Sequence, residues 1–223
     1  MTGNRGADPD STPLARPQQV AGVRVVLPAT WWVIDLTDES ARRRSIGALV
    51  ERQMGRGDEL ATLRTDLRRH LEVTAVDAGA LGGQLMAISL TRAGSVPIPA
   101  SVTVYRSPAG STRSESLDDV EAALQAGAAK DDTVDAAQGP WGPVLRRTRI
   151  GEGVEELGAR DVPMLLADYW LDPGDGAGLL SLTFSSPLVE ARDALLPLFD
   201  TIVASVAPVT EAATITERRS ARA

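Results

Sequence analysis

Three apolar segments in the C-terminal half follow one another with only short turn sequences between them. They cover residues 143–150, 162–171 and 179–185, and the turns contain Gly151-Glu152-Gly153 and Asp172-Pro173-Gly174-Asp175-Gly176. Glycine, proline and aspartate in such runs are typical of tight turns. Parallel neighbours need a crossover of a dozen or more residues, so segments joined this closely pair antiparallel. The sequence therefore predicts a fold built on an antiparallel sheet.

Alternating apolar residues predict four further strands upstream of these three. Strands are expected at 23–27, at 31–36, around Met86-Ala87-Ile88 and at 101–106. A period of two is typical of a strand with one buried side. In the last of these strands, Val102 and Val104 are expected on one side, with Thr103 and Tyr105 on the other.

Helices are predicted before, between and after the strands. Segment 39–78 has the pattern of two helices broken by Gly55 and Gly57, so a helical hairpin is expected there. Ser116 and Asp119 form a capping box for a short helix. Ser186-Pro187 predicts the start of a closing helix that runs to about residue 206. The apolar positions expected to face the core from the hairpin are Ile46, Leu49, Val50, Met54, Leu60, Leu63, Leu67 and Leu71.

The order of these elements predicts the fold class α+β, with an antiparallel sheet of six to seven strands flanked by helices. Residues 20–207 are expected to form a single domain with a helical insertion at about 39–78. The polar ends, 1–19 and 208–223, are expected to be disordered. Residues 128–139 are expected to be a weakly ordered connection.

Charge and hydropathy exclude several classes of function. The net charge of −7 argues against non-specific nucleic-acid binding and against attraction to anionic membranes. No apolar run is long enough to span a bilayer, and the N-terminus lacks the apolar core of a signal peptide, so a cytoplasmic protein is expected. Arginine almost wholly replaces lysine, which is typical of a high-GC bacterial genome. One segment, 39–72, is nonetheless net positive; its arginines are Arg42, Arg43, Arg44, Arg52, Arg56, Arg64, Arg68 and Arg69.

The chemically reactive residue types are nearly absent. The chain has no cysteine and one histidine, His70, which is expected to pack or to lie at the surface of a helix. No serine stands in a nucleophile elbow, and no set of residues has the spacing of a zinc or EF-hand site. The acidic pairs at Asp131-Asp132 and in segment 172–175 are interpreted as turn residues. No catalytic residue, cofactor or metal is therefore predicted.

Tryptophan and arginine, which are enriched at binding hot spots, are the best candidates for a protein-binding site. Trp31 and Trp32 are adjacent in a predicted strand, so they point to opposite sides and only one of them needs to enter the core. The alternative is that the tryptophans fill the core under the flanking helices. The predicted protein-binding residues are Trp32, Trp141, Arg146, Arg147 and Trp170.

Several short motifs, in this order, resemble the PsbP-like family, which includes the Ran-binding Mog proteins and bacterial secretion adaptors. They are Leu27-Pro28-Ala29-Thr30-Trp31, then the strand Leu166-Ala167-Asp168-Tyr169-Trp170, then segment 180–187 and the closing helix with segment 198–205. The resemblance implies an α/β/α sandwich that associates with other proteins, generally without catalysis. The helical insertion and the absence of an export signal depart from the family pattern, and no binding residue can be transferred.

Three hypotheses about function follow. The first is a non-catalytic protein-interaction domain, an adaptor or chaperone-like module that engages a protein partner through its sheet or its arginine-rich helices. The second is a small-molecule-binding protein or enzyme with a pocket between sheet and helices, using Asp168, Tyr169 and Arg147. The third places the function in the disordered ends. The oligomeric state and the partner do not follow from the sequence.

Overall fold

A computed structural model describes residues 15–107, 116–129, 131–152 and 162–209. Short 3₁₀ turns at Asp58–Leu60 and Val189–Ala191 precede the second and fourth helices. The helices and strands are, in chain order, β1 (Ala15–Val20), β2 (Val23–Pro28), β3 (Trp31–Asp35), α1 (Glu39–Met54), α2 (Ala61–Ala80), β4 (Gly83–Ser89), β5 (Arg92–Ala93), β6 (Val96–Pro97), β7 (Ser101–Arg106), α3 (Leu117–Gly127), β8 (Thr133–Gly139), β9 (Gly142–Glu152), β10 (Pro163–Leu171), β11 (Leu180–Ser186), α4 (Arg192–Ala204) and β12 (Ala207–Pro208).

A seven-stranded antiparallel sheet forms the centre, in the order β3-β4-β7-β11-β10-β9-β8. A small sheet, β1-β2-β12, lies apart from it, and β5 and β6 form a separate short pair. The fold class α+β and the predicted count of six to seven antiparallel strands are confirmed. The β9-β10-β11 pairing is the meander that the short turns predicted.

One side of the seven-stranded sheet, here called the aromatic side, holds the larger core. Phe184 stacks on Phe199 of α4 with ring centroids 4.3 Å apart, and it meets the edges of Tyr169 and Trp31 at 5.5 and 6.5 Å. Edge-to-face and offset-stacked pairs are the favoured aromatic geometries. Helix α4 and the small sheet close this core, as the apolar residues of β2 belong to the same cluster.

The other side, here called the polar side, is covered toward its two ends by the helices that the structure describes. At one end α1 and α2 bury Ile34 and Met86 beneath Ile46 and Val50. At the other end α3, begun by the predicted capping box at Ser116, packs on a smaller cluster. Helices thus lie on both sides of the sheet, as a three-layer sandwich requires.

Two predictions about irregular segments are wrong. The N-terminal region predicted to be disordered to residue 19 contains β1, which pairs with β2 along its whole length. A two-residue turn, Ala21 (φ 52°) and Gly22 (φ 80°), joins them in the left-handed conformation that tight hairpins favour. Within the connection predicted at 128–139, residues 133–139 form β8. The side chains of β1 and β8 are mostly exposed, so neither strand has the alternation of apolar residues from which a strand is predicted.

Two predictions about helices are also wrong. Ser186 is the last residue of β11: its hydroxyl donates to the Pro99 carbonyl at 2.7 Å and accepts from the Leu188 amide, while α4 starts only at Arg192. Leu60, the last residue of the 3₁₀ turn before α2, and Leu63 of α2 are 41% and 55% exposed. The apolar cluster under the helical hairpin extends only as far as Leu67, so the start of α2 reaches beyond it. The predicted tail 208–223 lies almost wholly outside the described residues.

Candidate functional site

A groove lined by arginines lies between α1 and α2, with a volume of about 650 Å³. Helix α1 turns Ile46 and Val50 into the core, which leaves Arg43, Arg44 and Gly47 on the neighbouring face. Gly47 and Ala48 are small residues, so the bottom of the groove lies close to the backbone of α1. The lining residues of this arginine groove are Arg43, Arg44, Gly47, Ala48, Glu51, Arg68 and Glu72.

The charges of the arginine groove are not balanced. Both of its carboxylates pair with arginines that lie outside the lining: Glu51 with Arg56 at 2.9 Å, and Glu72 with Arg42 at 3.9 Å. Arg43 pairs with Glu39 at 2.7 Å.

Two arginines of the groove remain without an ion pair. Among the residues that the structure describes, Arg44 and Arg68 form no ion pair, although the charge of Arg44 also acts on Asp38, and both arginines are exposed. Their two positive charges are therefore directed at the solvent in the groove.

A row of four polar side chains crosses the centre of the polar side. Thr103, Thr183, Asp168 and Arg147 are successive cross-strand partners on β7, β11, β10 and β9. Thr103 and Asp168 are each only 8% exposed. We call these four residues the polar row. In a sheet, such directly opposed side chains are the ones that contact each other.

Asp168 is the buried charge of the polar row. Burial raises the pKa of the Asp168 carboxyl, while a hydrogen bond from Thr183 and the charges of Arg149 and Arg147 oppose that shift. Arg149 approaches it at 3.7 Å, and Arg147 pairs with Asp132 instead. The carboxylate is thus incompletely paired in a desolvated position, which is a feature of functional sites as well as of structural ion pairs.

A second groove lies beside the polar row, between α3, the end of α2 and the sheet, and it has a volume of about 650 Å³. Part of its floor is formed by Tyr105 and Trp170, which are the cross-strand partners of Ser181 on β7 and β10. Val120 and Leu124 of α3 form one wall. Burial raises the pKa of the Tyr105 phenol. We call it the Tyr–Trp groove; its volume is within the range of small-molecule pockets.

A third groove, of about 370 Å³, lies on the aromatic side between α4 and the β8-β9 hairpin. Arg146 is at its centre and donates to Asp200 at 2.9 and 3.0 Å and to Asp135 at 2.9 Å. The Tyr169 hydroxyl also donates to Asp200, at 2.8 Å. Burial and this hydrogen bond raise the pKa of Tyr169, and the two carboxylates raise the pKa of Arg146 despite its burial. We call these four residues the Arg146 cluster.

Two of the predicted protein-binding tryptophans pack against helices. The Trp32 indole donates to the Ser45 hydroxyl at 2.9 Å, and the Arg52 guanidinium lies 5.9 Å from its ring centroid. Trp170 is half-buried against the small cluster under α3. Both rings are therefore partly used in packing.

Of the other three predicted residues, only Arg147 lies on the same side of the sheet as Trp170 and near it. Arg146 and Arg147 are successive residues of β9, so they project on opposite sides of the sheet. Trp141 is 50% exposed at the turn between β8 and β9. The five residues do not form one continuous surface, and their role in protein binding stays a prediction.

Sequence reasoning identified some members of these sites and missed others. It grouped Asp168 and Arg147, which the polar row brings together, with Tyr169, which lies on the opposite side of the sheet. It missed Asp200, which lies 54 residues from Arg146 in the chain, and it missed Thr183 as the partner of Thr103. No local signal identifies such pairs, because they depend on strand register and on the position of α4.

The described ranges contain no group of three or more histidine, cysteine, aspartate or glutamate residues that could hold a metal ion. Within the same ranges, no helix is both long and apolar enough to cross a membrane.

Comparison with known proteins yields a structural likeness only. No protein-family model matches the chain, and no curated protein matches it. The chain is similar to the solution structure of cyanobacterial PsbP (CyanoP) from Synechocystis sp. PCC 6803, with 13% sequence identity and a TM-score of 0.42, over 93% of this chain and 100% of that chain. An overlap of this size carries no inference about function. The likeness to Ran-binding Mog proteins and to secretion adaptors stays a prediction.

Proposed function

We propose that this chain is a non-catalytic protein-interaction domain and that its arginine groove binds an acidic segment of a partner protein. The observation that supports the proposal is that Arg44 and Arg68 form no ion pair with any described residue, in a chain whose net charge is −7. Guanidinium groups bind carboxylates in a bidentate geometry, so acidic side chains are the complementary chemistry.

The small residues at the bottom of the groove favour an extended or helical segment as the bound partner, rather than a single side chain. Gly47 and Ala48 lie between the arginines, so a partner backbone can approach α1 closely. An exposed ion pair contributes only about 0.2–1 kcal/mol, so several pairs and close packing are needed together. The expected interaction is therefore modest in affinity, fast to form and sensitive to salt.

Binding of a fluorescein-labelled oligoglutamate peptide, measured by anisotropy, tests the proposal. Replacing both Arg44 and Arg68 with glutamine should weaken binding about tenfold, because two ion pairs are lost. The matched control replaces Arg64 and Arg69 with glutamine. Both lie on α2 outside the groove lining, and their replacement removes the same amount of charge. This control should change binding less than about twofold. Equal losses in the two double variants would mean that only net charge matters, and the groove would be rejected.

The Tyr–Trp groove supports a second candidate function, the binding of a small molecule. The observation that favours this function is that Tyr105 and Trp170 line the bottom of the groove next to the buried Asp168 carboxyl. The dye 8-anilinonaphthalene-1-sulfonate, which has two aromatic ring systems and one sulfonate group, is a suitable probe. Saturable binding that Trp170→Ala abolishes, but Trp141→Ala leaves intact, would support this function. Absence of saturable binding would reject it.

A further inference from the structure

The two edges of the seven-stranded sheet differ in how their backbone groups are used. At the β3 edge, α1 packs close by, and the Ser45 hydroxyl donates to the Val33 carbonyl at 2.8 Å. Just beyond β3, the Arg42 guanidinium donates to the Leu36 carbonyl at 3.3 Å. Side chains of α1 thus occupy acceptors that a further strand would need.

The β8 edge has no such cover within the described part of the chain. Strand β8 pairs on one side with β9, through seven consecutive residue pairs without a bulge. Pro143, which has no amide hydrogen, is opposite Gln138, so this pair is of the non-hydrogen-bonded kind. Because bonded and non-bonded pairs alternate, the backbone N–H and C=O groups of Val134, Ala136 and Gln138 point away from β9.

The outward groups of Val134, Ala136 and Gln138 form no backbone or side-chain hydrogen bond with any residue that the structure describes. Exposed strand edges are usually protected by lysine, proline, a bulge or an inward-pointing charge. Strand β8 has no lysine, proline or bulge. Its single charged residue, Asp135, is bound to Arg146 on the aromatic side.

The surroundings of β8 provide side-chain contacts for an added strand. On the aromatic side, the groove of the Arg146 cluster is lined by Ala137, Val144 and Val203, which offer apolar surface next to β8. Its two carboxylates, Asp135 and Asp200, face one guanidinium, so one negative charge remains in excess. At the end of β8, the exposed Trp141 ring is available as an anchor of the type common at binding hot spots.

We propose that β8 accepts an extended strand from a partner polypeptide, and that this strand presents alternating apolar and basic residues to the groove of the Arg146 cluster. Six unpaired backbone groups on three alternate residues match an extended chain and no other secondary structure. The excess carboxylate selects lysine or arginine in the partner. A second copy of this chain is a less favourable partner, because both copies carry a net charge of −7 and would repel each other.

This surface is distinct from the arginine groove. Helices α1 and α2 pack on β3 and β4, at the opposite edge of the sheet from β8. One surface carries excess positive charge and the other excess negative charge. The inference about β8 therefore stands or fails independently of the proposed function, and a different probe tests it.

Residue-resolved amide hydrogen exchange tests the proposal. The probe is a peptide of the length of β8 in which every second residue is lysine or valine in turn and the residues between them are threonine, so that one side of the strand presents both residue types. In the protein alone, the amides of Val134, Ala136 and Gln138 should exchange rapidly, whereas those of Asp135 and Ala137 should be protected by β9. The peptide should slow exchange at the three outward amides by about tenfold or more when it is near saturation.

Ala136→Pro provides the decisive variant. The Ala136 amide points outward, so proline removes a donor for the added strand without removing a bond to β9. Peptide affinity should fall about tenfold, because the blocked edge loses more than one hydrogen bond. Ala136→Val, which retains the amide, should bind as the parent does.

A probe N-methylated at alternate residues keeps the test valid should Ala136→Pro fold poorly. It has the same charge but cannot donate to the edge, so it should bind at least about tenfold more weakly. Equal binding of the methylated and unmethylated peptides would show attraction by charge alone and overturn the proposal. Outward amides that are protected in the protein alone, more so at higher protein concentration, would assign the edge to a second copy and also overturn it.

Discussion

The two sides of the central sheet differ in how their side chains pack. On the aromatic side, the rings of Trp31, Tyr169 and Phe199 each contact Phe184, in a continuous core that α4 and the small sheet close. On the polar side, the described residues form apolar clusters under the α1–α2 hairpin at one end and under α3 at the other. The polar row lies between them.

This difference indicates how a chain with few aromatic residues keeps polar surface in the middle of its sheet. Concentrating the largest side chains on one side gives a core that stabilises the whole sheet, since a strand is shared by both sides. The other side is then free to hold hydroxyls, a carboxylate and arginines. Variants that act on one side at a time test whether this division is real.

The largest effect is expected for Phe184→Ala. Phe184 is fully buried and touches the other three rings, so its removal should lower the free energy of unfolding by about 3–5 kcal/mol. Urea denaturation measures this change. The control is Thr183→Ala, at the residue before Phe184 in β11, whose side chain lies on the polar side; it should cost less than half as much. Equal losses from the two variants would contradict the division.

Tyr169→Phe should cost about 1.5 kcal/mol. The substitution keeps the ring in the core but removes the hydroxyl that donates to the Asp200 carboxylate at 2.8 Å. A hydrogen bond to a charged group contributes about 1.5–3 kcal/mol, and the half-exposed position of Asp200 favours the lower value. Urea denaturation provides the measurement. Little or no loss would mean that Arg146 alone satisfies Asp200.

Gly47→Ala should stabilise the protein by about 0.5–1 kcal/mol, because alanine favours a helix interior over glycine. A methyl group there would have the Arg68 guanidinium as its nearest neighbour, at 3.8 Å, which is an ordinary contact. The rise in unfolding temperature measures the gain. A loss of stability would show that the floor of the arginine groove is more tightly packed than the structure indicates.

The smallest effect is expected for Asp168→Asn, since Thr183 and two arginines offset part of the cost of burying its charge. Burial raises the pKa of Asp168 above 3.8, its ordinary value, so the wild-type carboxyl binds its proton more tightly in the folded state. Its ionisation therefore destabilises the fold as pH rises above 3.8 and through the folded pKa.

The stability advantage of Asp168→Asn should accordingly be absent in acid and appear toward neutral pH. Denaturation curves of both proteins across that range provide the measurement. In a Thr183→Val background, the carboxylate loses its hydrogen bond and the advantage should increase. An advantage that is largest in acid would reverse the sign and reject the interpretation of Asp168 as a destabilised charge.

Elements with a strong local pattern were predicted correctly from the sequence. Met86 and Ile88 share one side of β4, Val102 and Val104 share one side of β7, and Ser116 with Asp119 caps α3. Each prediction depends on residues a few positions apart. Strands β1 and β8 were missed because they are held by backbone pairing with a neighbour, and their side chains are mostly exposed.

By itself, the sequence determined the elements with a strong local pattern and the antiparallel pairing of β9, β10 and β11, since periodic burial and turn chemistry act over a few residues. Only the tertiary structure decided which side chains meet. The register of four strands aligns Thr103, Thr183, Asp168 and Arg147, and the packing of α4 brings Asp200 to Arg146. Those contacts join residues far apart in the chain, so they depend on how whole elements pack, which no local pattern encodes.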